Sequence, residues 1–78
     1  MSPEERIFQF FKEKKRAKDL AFDTDLFRGG YVDSLFAFEI IQFIEDEFRV
    51  SIANRDITEK NFKTIAAIAR LVAQAGGK

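Results

Sequence analysis

The apolar residues between positions 34 and 48 recur with the period of an α-helix, and this pattern restricts the fold more than any other feature of the chain. At about 100° per residue, one side of this predicted helix is apolar. The residues that we assign to this core side are Ala37, Ile40, Ile41, Ile44 and Phe48. Leu35 and Phe38 fall on the opposite side, among acidic and amide side chains. Since no segment alternates with the two-residue period of a strand, we predict an all-α fold.

Two further long helices are predicted, one towards each end of the chain. The first begins at Ser2, because Ser2 as N-cap and Glu5 three residues on form a capping box, with Pro3 at the first helical position. Its apolar stripe comprises Ile7, Phe10 and Phe11. The last helix runs from about residue 64 to residue 75, and we expect Gly76-Gly77 to end it in a left-handed conformation. Its inward residues are Ile65, Ile68, Leu71 and Val72.

The segments between these helices differ in length. Residues 19–33 lack periodicity and contain Gly29-Gly30, which predicts a long loop. The apolar residues that should hold this loop against the core are Phe22, Leu26, Phe27 and Val32. Residues 54–58 predict a capped short helical turn, and the inward anchors expected around it are Ile52, Ile57 and Phe62. We therefore predict that residues 1–78 form one domain, a bundle of three longer helices plus one short helix, with the long loop between helices 1 and 2.

The chain contains neither cysteine nor histidine. Without cysteine it has no disulfides or thiolate metal sites, and without histidine it lacks the commonest general base and metal ligand. We therefore expect no enzymatic activity and no metal site. Asp23-Thr24-Asp25 begins like a calcium-binding loop, but Phe27 and Arg28 occupy positions that need an oxygen ligand and a glycine.

Charge is segregated along the chain although the net charge is zero. Residues 19–59 carry ten acidic and three basic side chains, and an acidic centre favours partners with basic docking patches. A basic run comprises Lys12, Lys14, Lys15, Arg16 and Lys18. No second basic element or aromatic platform joins it, so we expect no nucleic-acid partner. Since neither a signal peptide nor an apolar run long enough to span a bilayer is present, we expect no membrane insertion and a cytoplasmic location.

The segment from Gly30 to Leu35, Gly-Tyr-Val-Asp-Ser-Leu, places a serine between an aspartate and a leucine where the second helix begins. This segment resembles the prosthetic-group attachment site of acyl carrier proteins. The resemblance covers essentially the whole chain, through Leu26-Phe27, residues 44–48, Ile52 and residues 61–65. It implies an acyl-carrier-like bundle in which Ser34 carries 4′-phosphopantetheine covalently. Asp33 would help to orient the cofactor and the transferase-bound magnesium, with Leu35 also at the cofactor-binding site.

Ser34 also has a purely structural interpretation. Serine and aspartate are the usual N-cap residues of helices, so Asp33-Ser34 could cap the helix and do nothing more. Phe36 and Ala37 stand where a capping box needs Glu or Gln, which argues against this interpretation. An unmodified helical adaptor with the same fold therefore stays open as an alternative.

The resemblance also implies a partner-binding surface on the second helix, where apolar side chains lie among acidic ones. The residues predicted to contact partners are Leu35, Phe36, Phe38, Glu39, Gln42, Glu45 and Asp46. The implied partners are a phosphopantetheinyl transferase and the ligases, synthases or transferases that load acyl or aminoacyl groups. We expect the chain itself to be a monomer.

The implied function is that of an acyl carrier protein, which tethers acyl intermediates as thioesters on the arm at Ser34 and presents them to partner enzymes. The glycine pair Gly29-Gly30 near the serine resembles the glycines found before the serine of aminoacyl and peptidyl carriers. These carriers therefore stay open as an alternative. Phe36 stands where carriers of fatty-acid synthesis usually bear an acid, so a specialised stand-alone carrier fits better. Phe43 falls where the second helix lines the acyl cavity, and a ring there predicts a short, bulky or polar cargo.

Overall fold

The computed structural model describes residues 2–15 and 19–77. Arg16 and Lys18 of the basic run lie outside these residues. The described part of the chain is helical and contains no strand, which confirms the predicted all-α class. Its elements are α1 (Pro3–Lys15), α2 (Ser34–Phe48), a 3₁₀ turn (Asn54–Asp56) and α3 (Ile65–Gly77).

The predicted fourth helix is only this 3₁₀ turn. The residue before it is Ala53, whose side chain offers no oxygen to cap the turn, so the predicted cap is wrong. The turn closes through the backbone N–H of Ile57, which donates to the carbonyl oxygen of Asn54 at 3.1 Å. Ile57 itself is 36% exposed and is therefore not the inward anchor that we predicted.

Helix α1 begins with the predicted capping box. The backbone N–H of Ser2 donates to Glu5 Oε1 at 3.1 Å, and the N–H of Glu5 donates back to Ser2 Oγ at 3.2 Å. These two bonds satisfy backbone donors that have no partner within the helix. Ile7 and Phe11 then face inward and are fully buried.

The long loop after α1 is tied to the beginning of α3. The N–H of Leu26 donates to the carbonyl oxygen of Lys63 at 2.7 Å, and the N–H of Ala66 donates to that of Phe22 at 3.0 Å. The buried side chains of Leu26 and Val32 add apolar contacts with the core. The prediction of an ordered loop held against the core is confirmed for Leu26 and Val32, but Phe22 is 40% exposed and is not the anchor that we predicted. The loop fixes the point at which α2 begins.

Gly29 and Gly30 allow the loop to reverse its direction before α2. Gly30 has a φ angle of 78°, in the left-handed region that favours glycine. A Cβ on Gly29 would lie 2.7 Å from the Tyr31 ring, so a larger residue would displace that ring. After the turn, the N–H groups of Tyr31 and Val32 both donate to the carbonyl oxygen of Leu26, at 2.9 and 3.2 Å.

Helix α3 begins as predicted but ends differently. The Thr64 hydroxyl accepts a hydrogen bond from the N–H of Ala67 at 2.9 Å and so caps the helix. The four predicted inward residues are all buried, together with Ala69. The expected left-handed end at Gly76-Gly77 is wrong, because the helix continues through Gly77. A Cβ on Gly76 would lie 2.7 Å from Val50 Cγ1, so this glycine permits close packing of α3 against the segment after α2.

An aromatic layer joins α1 to α2. The ring of Phe10 stacks on Phe43, with centroids 4.3 Å apart, and on Phe36 at 5.7 Å. Arg6 forms an ion pair with Glu47 at the far end of α2. Residue numbers therefore rise along α1 as they fall along α2, so the two helices are antiparallel. Among the described residues, no helix has the length and apolar character needed to cross a membrane.

Candidate functional site

The first turn of α2 separates the roles of Asp33 and Ser34. Asp33 has extended backbone angles, and its Oδ1 atom accepts a hydrogen bond from the N–H of Phe36 at 2.8 Å. Its carbonyl oxygen accepts from the N–H of Ala37 at 2.9 Å. Asp33 is therefore the N-cap, and Ser34 is the first helical residue, with an exposed side chain. The interpretation of Asp33-Ser34 as a cap holds for the aspartate alone, which leaves the serine hydroxyl free for other chemistry.

This division predicts unequal effects on stability. Asp33→Ala should lower the free energy of unfolding by about 1 kcal/mol, because it removes the cap. Ser34→Ala should change it by less than about 0.5 kcal/mol, because an exposed side chain with no structural role is lost. Urea unfolding followed by circular dichroism measures both variants. Equal losses would mean that Ser34 also supports the helix start.

The chain has three serines, and their surroundings differ. The hydroxyl of Ser2 belongs to the capping box of α1. Ser51 is exposed in the irregular segment between α2 and the 3₁₀ turn. Ser34 alone lies at the first position of a long helix, directly after the glycine turn and the capping aspartate. At this position the first backbone N–H groups of the helix have no acceptor within it and can face an anion.

Five of the predicted partner-binding residues form one exposed surface, which we call the outer face of α2. It comprises Leu35, Phe38, Glu39, Gln42 and Asp46. Leu35 is 74% exposed and Phe38 is 70% exposed, so two large apolar side chains remain uncovered beside Ser34. Gln42 Nε2 donates to Asp46 Oδ2 at 3.1 Å and orders the polar edge of this face.

Phe36 does not belong to this surface, and its predicted contact with partners is wrong. The side chain is only 5% exposed, and its ring packs edge-on against Phe11 with centroids 5.4 Å apart. The Lys15 ammonium lies 4.3 Å from the centre of the Phe36 ring and covers it. The sequence indicates this burial, because Phe36 lies four residues before Ile40 and eight before Ile44, both of which are buried. This spacing places the three side chains on one side of the helix.

Glu45 has a structural role that the residue pattern of α2 does not indicate. Its side chain is half-buried, and Oε2 accepts a hydrogen bond from the N–H of Ile52 at 3.0 Å. The carboxylate thus holds the segment after α2 against that helix. A partner that approached Glu45 would meet a group already engaged within the chain.

Phe43 lies between α1 and α2, where it stacks on Phe10 and meets Phe48 edge-on at 6.2 Å. The resemblance predicted that it would line an interior acyl cavity. In the structure the half-buried ring instead contacts α1 and lines a surface groove of about 380 Å³. The Phe43 ring thus occupies a different place from the one expected. Restriction of the acyl cargo by this ring stays a prediction.

The acidic start of the long loop serves backbone turns. Asp25 Oδ1 accepts hydrogen bonds from the N–H groups of Phe27 and Arg28, both at 3.1 Å. Its other oxygen lies 3.9 Å from the Lys63 ammonium. Within residues 2–15 and 19–77, no group of three or more candidate ligands is arranged to hold a metal ion.

The comparison with protein families identifies the class of this chain. The family described as phosphopantetheine attachment site matches residues 12–72. The chain therefore belongs to this family, whose members are carrier domains without catalytic activity of their own. They carry 4′-phosphopantetheine attached covalently to a serine. No match was found among the curated proteins, and none among the solved structures.

The residues at the start of α2 are suited to this prosthetic group. Ser34 and Ser51 are the two serines within the matched range, and the hydroxyl of Ser34 lies on an exposed helix start. The side of the turn next to it is open, because a Cβ built on Gly30 would meet no atom within 4 Å. The apolar side chain of Leu35 is exposed beside the serine. A bulky arm could therefore be attached here without displacing the core.

Proposed function

We propose that this chain is an acyl carrier protein with Ser34 as the attachment site of 4′-phosphopantetheine. The observation that carries this proposal is the exposed Ser34 hydroxyl at the start of α2, within a chain that belongs to the phosphopantetheine attachment family. When attached, the arm supplies a terminal thiol that holds an acyl group as a thioester. The chain itself supplies position and recognition.

Each residue of the attachment site has a proposed task. Ser34 provides the oxygen that bonds to the phosphopantetheine phosphorus of coenzyme A; the hydroxyl loses its proton, the pyrophosphate P–O bond breaks, and adenosine 3′,5′-bisphosphate leaves. The first-turn N–H groups that Asp33 does not engage favour the negative phosphate. Asp33 keeps that turn in place through its bond to the N–H of Phe36, and we propose that it also orients the magnesium and cofactor held by the transferase. Leu35, exposed next to Ser34, contacts the incoming enzyme or the arm.

Incubation of the purified chain with coenzyme A and a broad-specificity phosphopantetheinyl transferase tests carriage itself. Intact-mass analysis should show the addition of one phosphopantetheinyl group. Absence of any addition, with a known carrier modified in a parallel reaction, would favour an unmodified helical adaptor. Loading of the modified chain by acyl but not aminoacyl ligases would distinguish an acyl carrier from the aminoacyl or peptidyl alternative.

We further propose that the outer face of α2 docks the transferase and the loading enzymes. Leu35 and Phe38 supply apolar contact area, and Glu39 and Asp46 supply negative charge around it. This combination resembles the apolar centre and polar rim of protein interfaces. We expect the chain to act as a monomer in the cytoplasm, as the sequence predicts.

Phe38→Ala should lower kcat/KM of the transferase for this chain by about tenfold, because an exposed aromatic anchor at an interface contributes more than about 1 kcal/mol. Charge reversal at Glu39 and Asp46 should slow association, most clearly at low salt. Asp23→Lys is a matched control, since Asp23 is an exposed acid on the loop rather than on the outer face of α2. Transferase rates that fall as much for Asp23→Lys as for the changes at Phe38, Glu39 and Asp46 would contradict docking through this face.

A further inference from the structure

The groove between α1 and α2 is continuous with the outer face of α2. Its floor is formed by the stacked rings of Phe10 and Phe43. Its polar lining comprises Lys14, Glu39, Gln42, Asp46 and Glu47. Three of these side chains, Glu39, Gln42 and Asp46, also belong to the outer face of α2. A partner seated on that face would therefore cover the mouth of the groove.

The charges in the groove favour a cation. Glu47 is already paired with Arg6, and Lys14 contributes one positive charge. Glu39 and Asp46 contribute two negative charges, so a net negative charge remains beside the aromatic floor. Among the described residues, these two carboxylates form no ion pair within the chain.

The shape and chemistry of the lining select one kind of cation. An arginine guanidinium is planar, packs against aromatic rings and donates two parallel hydrogen bonds to a carboxylate, whereas a lysine ammonium is a compact, strongly hydrated charge. The chain itself pairs an arginine with a carboxylate beside this groove, where Arg6 forms an ion pair with Glu47. A volume of about 380 Å³ admits one long side chain.

We propose that this groove binds an arginine side chain that projects from the basic surface of a partner enzyme. The inference rests on the proposed docking role of the outer face of α2. The arginine would pack on Phe43 and pair with Glu39 and Asp46, and it would act as an anchor at the edge of the interface. The groove would thereby select partners that carry an arginine at this place.

Titration of the isotopically labelled chain with N-acetyl-arginine amide, followed by NMR, tests the groove directly. We expect saturable shifts of the Phe10 and Phe43 ring resonances. Nα-acetyl-citrulline amide has nearly the same shape without charge, and Nα-acetyl-lysine amide, with its side-chain ammonium free, has the charge without the planar group. Both should bind more weakly, and an equal response to either one would overturn the assignment to a guanidinium.

Variants locate the binding. Glu39→Gln and Asp46→Asn should each lower the affinity of the chain for N-acetyl-arginine amide by about threefold, as expected for partly exposed ion pairs. Lys14→Gln should raise that affinity. Asp23→Asn should leave it unchanged. An equal loss of affinity in Asp23→Asn would refute the proposal that this groove binds arginine. So would the absence of a saturable shift in the unaltered chain. Intact-mass analysis of the same variants distinguishes this proposal from the proposed function. Modification of Ser34 without shifts of the Phe10 and Phe43 resonances would reject arginine binding alone. Shifts of these resonances without modification would reject the attachment site alone.

Discussion

Replacing Ser34 by alanine is expected to abolish phosphopantetheinyl transfer while the fold remains intact. In the proposed attachment the hydroxyl oxygen forms the new phosphodiester, so its removal would leave the transferase without an acceptor. The helix start should survive because Asp33, not Ser34, accepts the hydrogen bond from Phe36. Intact-mass analysis after transferase treatment measures the loss, and urea unfolding should show a change below about 0.5 kcal/mol.

Ser51→Ala provides the matched control, because it removes the other serine within the family match. This variant should be modified as fully as the unaltered chain. Complete modification of the Ser34→Ala variant, even if slow, would reject Ser34 as the attachment site. A Ser34→Ala chain that is unmodified but unfolded would be resolved by Ser34→Thr, which restores a hydroxyl and should recover both the fold and partial transfer.

Phe36→Ala is expected to have the largest effect on stability in α2, a loss of about 3–5 kcal/mol. The ring fills space between α1 and α2, where it contacts Phe10 and Phe11 and is covered by Lys15. Its removal opens a cavity in a small domain, and the free energy of unfolding of such domains is only about 5–15 kcal/mol. Urea or thermal unfolding followed by circular dichroism measures the loss.

Phe38→Ala makes the same chemical change two residues further along the same helix. Because Phe38 is 70% exposed, this variant should lose less than about 1 kcal/mol. The pair thus separates the core residue from the docking residue. Similar losses in the two variants would contradict the assignment of Phe36 to the core and of Phe38 to the surface.

Much of the fold could be predicted from local patterns. The bounds of α2 and the capping box of α1 follow from residue spacing, because helix period and caps depend on neighbours within about four residues. The buried stripe of α3 was predicted for the same reason. The ordered loop was also predictable, since burial of Leu26 and Val32 removes apolar surface from water.

Most of the wrong predictions concern contacts between distant segments, although the missing cap of the 3₁₀ turn is a local error. Gly76 suggested a helix end, but its role depends on Val50, twenty-six residues earlier, which the local pattern does not report. Ile57 is apolar, but the path of the backbone leaves it partly in solvent. Phe36 was assigned to the partner surface although its spacing to the buried isoleucines of α2 indicated burial, and the approach of α1 is what covers its ring.

The candidate site was predictable to within one residue. Asp33 and Ser34 are both good N-caps, and only the backbone geometry decides which one accepts the hydrogen bond. The groove beside Phe43 was not predictable, because it requires the antiparallel placement of α1 against α2. Sequence spacing therefore located the start of α2, where we propose the attachment site, and tertiary packing defined the surface around it.

Peptide mapping of the modified chain tests the attachment of the prosthetic group at Ser34 most directly. Trypsin cleaves after lysine and arginine, and it separates the three serines into peptides spanning residues 1–6, 29–49 and 50–55. We predict that tandem mass spectrometry will find one phosphopantetheinyl group, on the peptide 29–49, with fragment ions that place it at Ser34. A group on the peptide 50–55 or 1–6, or a fully modified chain with an unmodified peptide 29–49, would contradict the assignment.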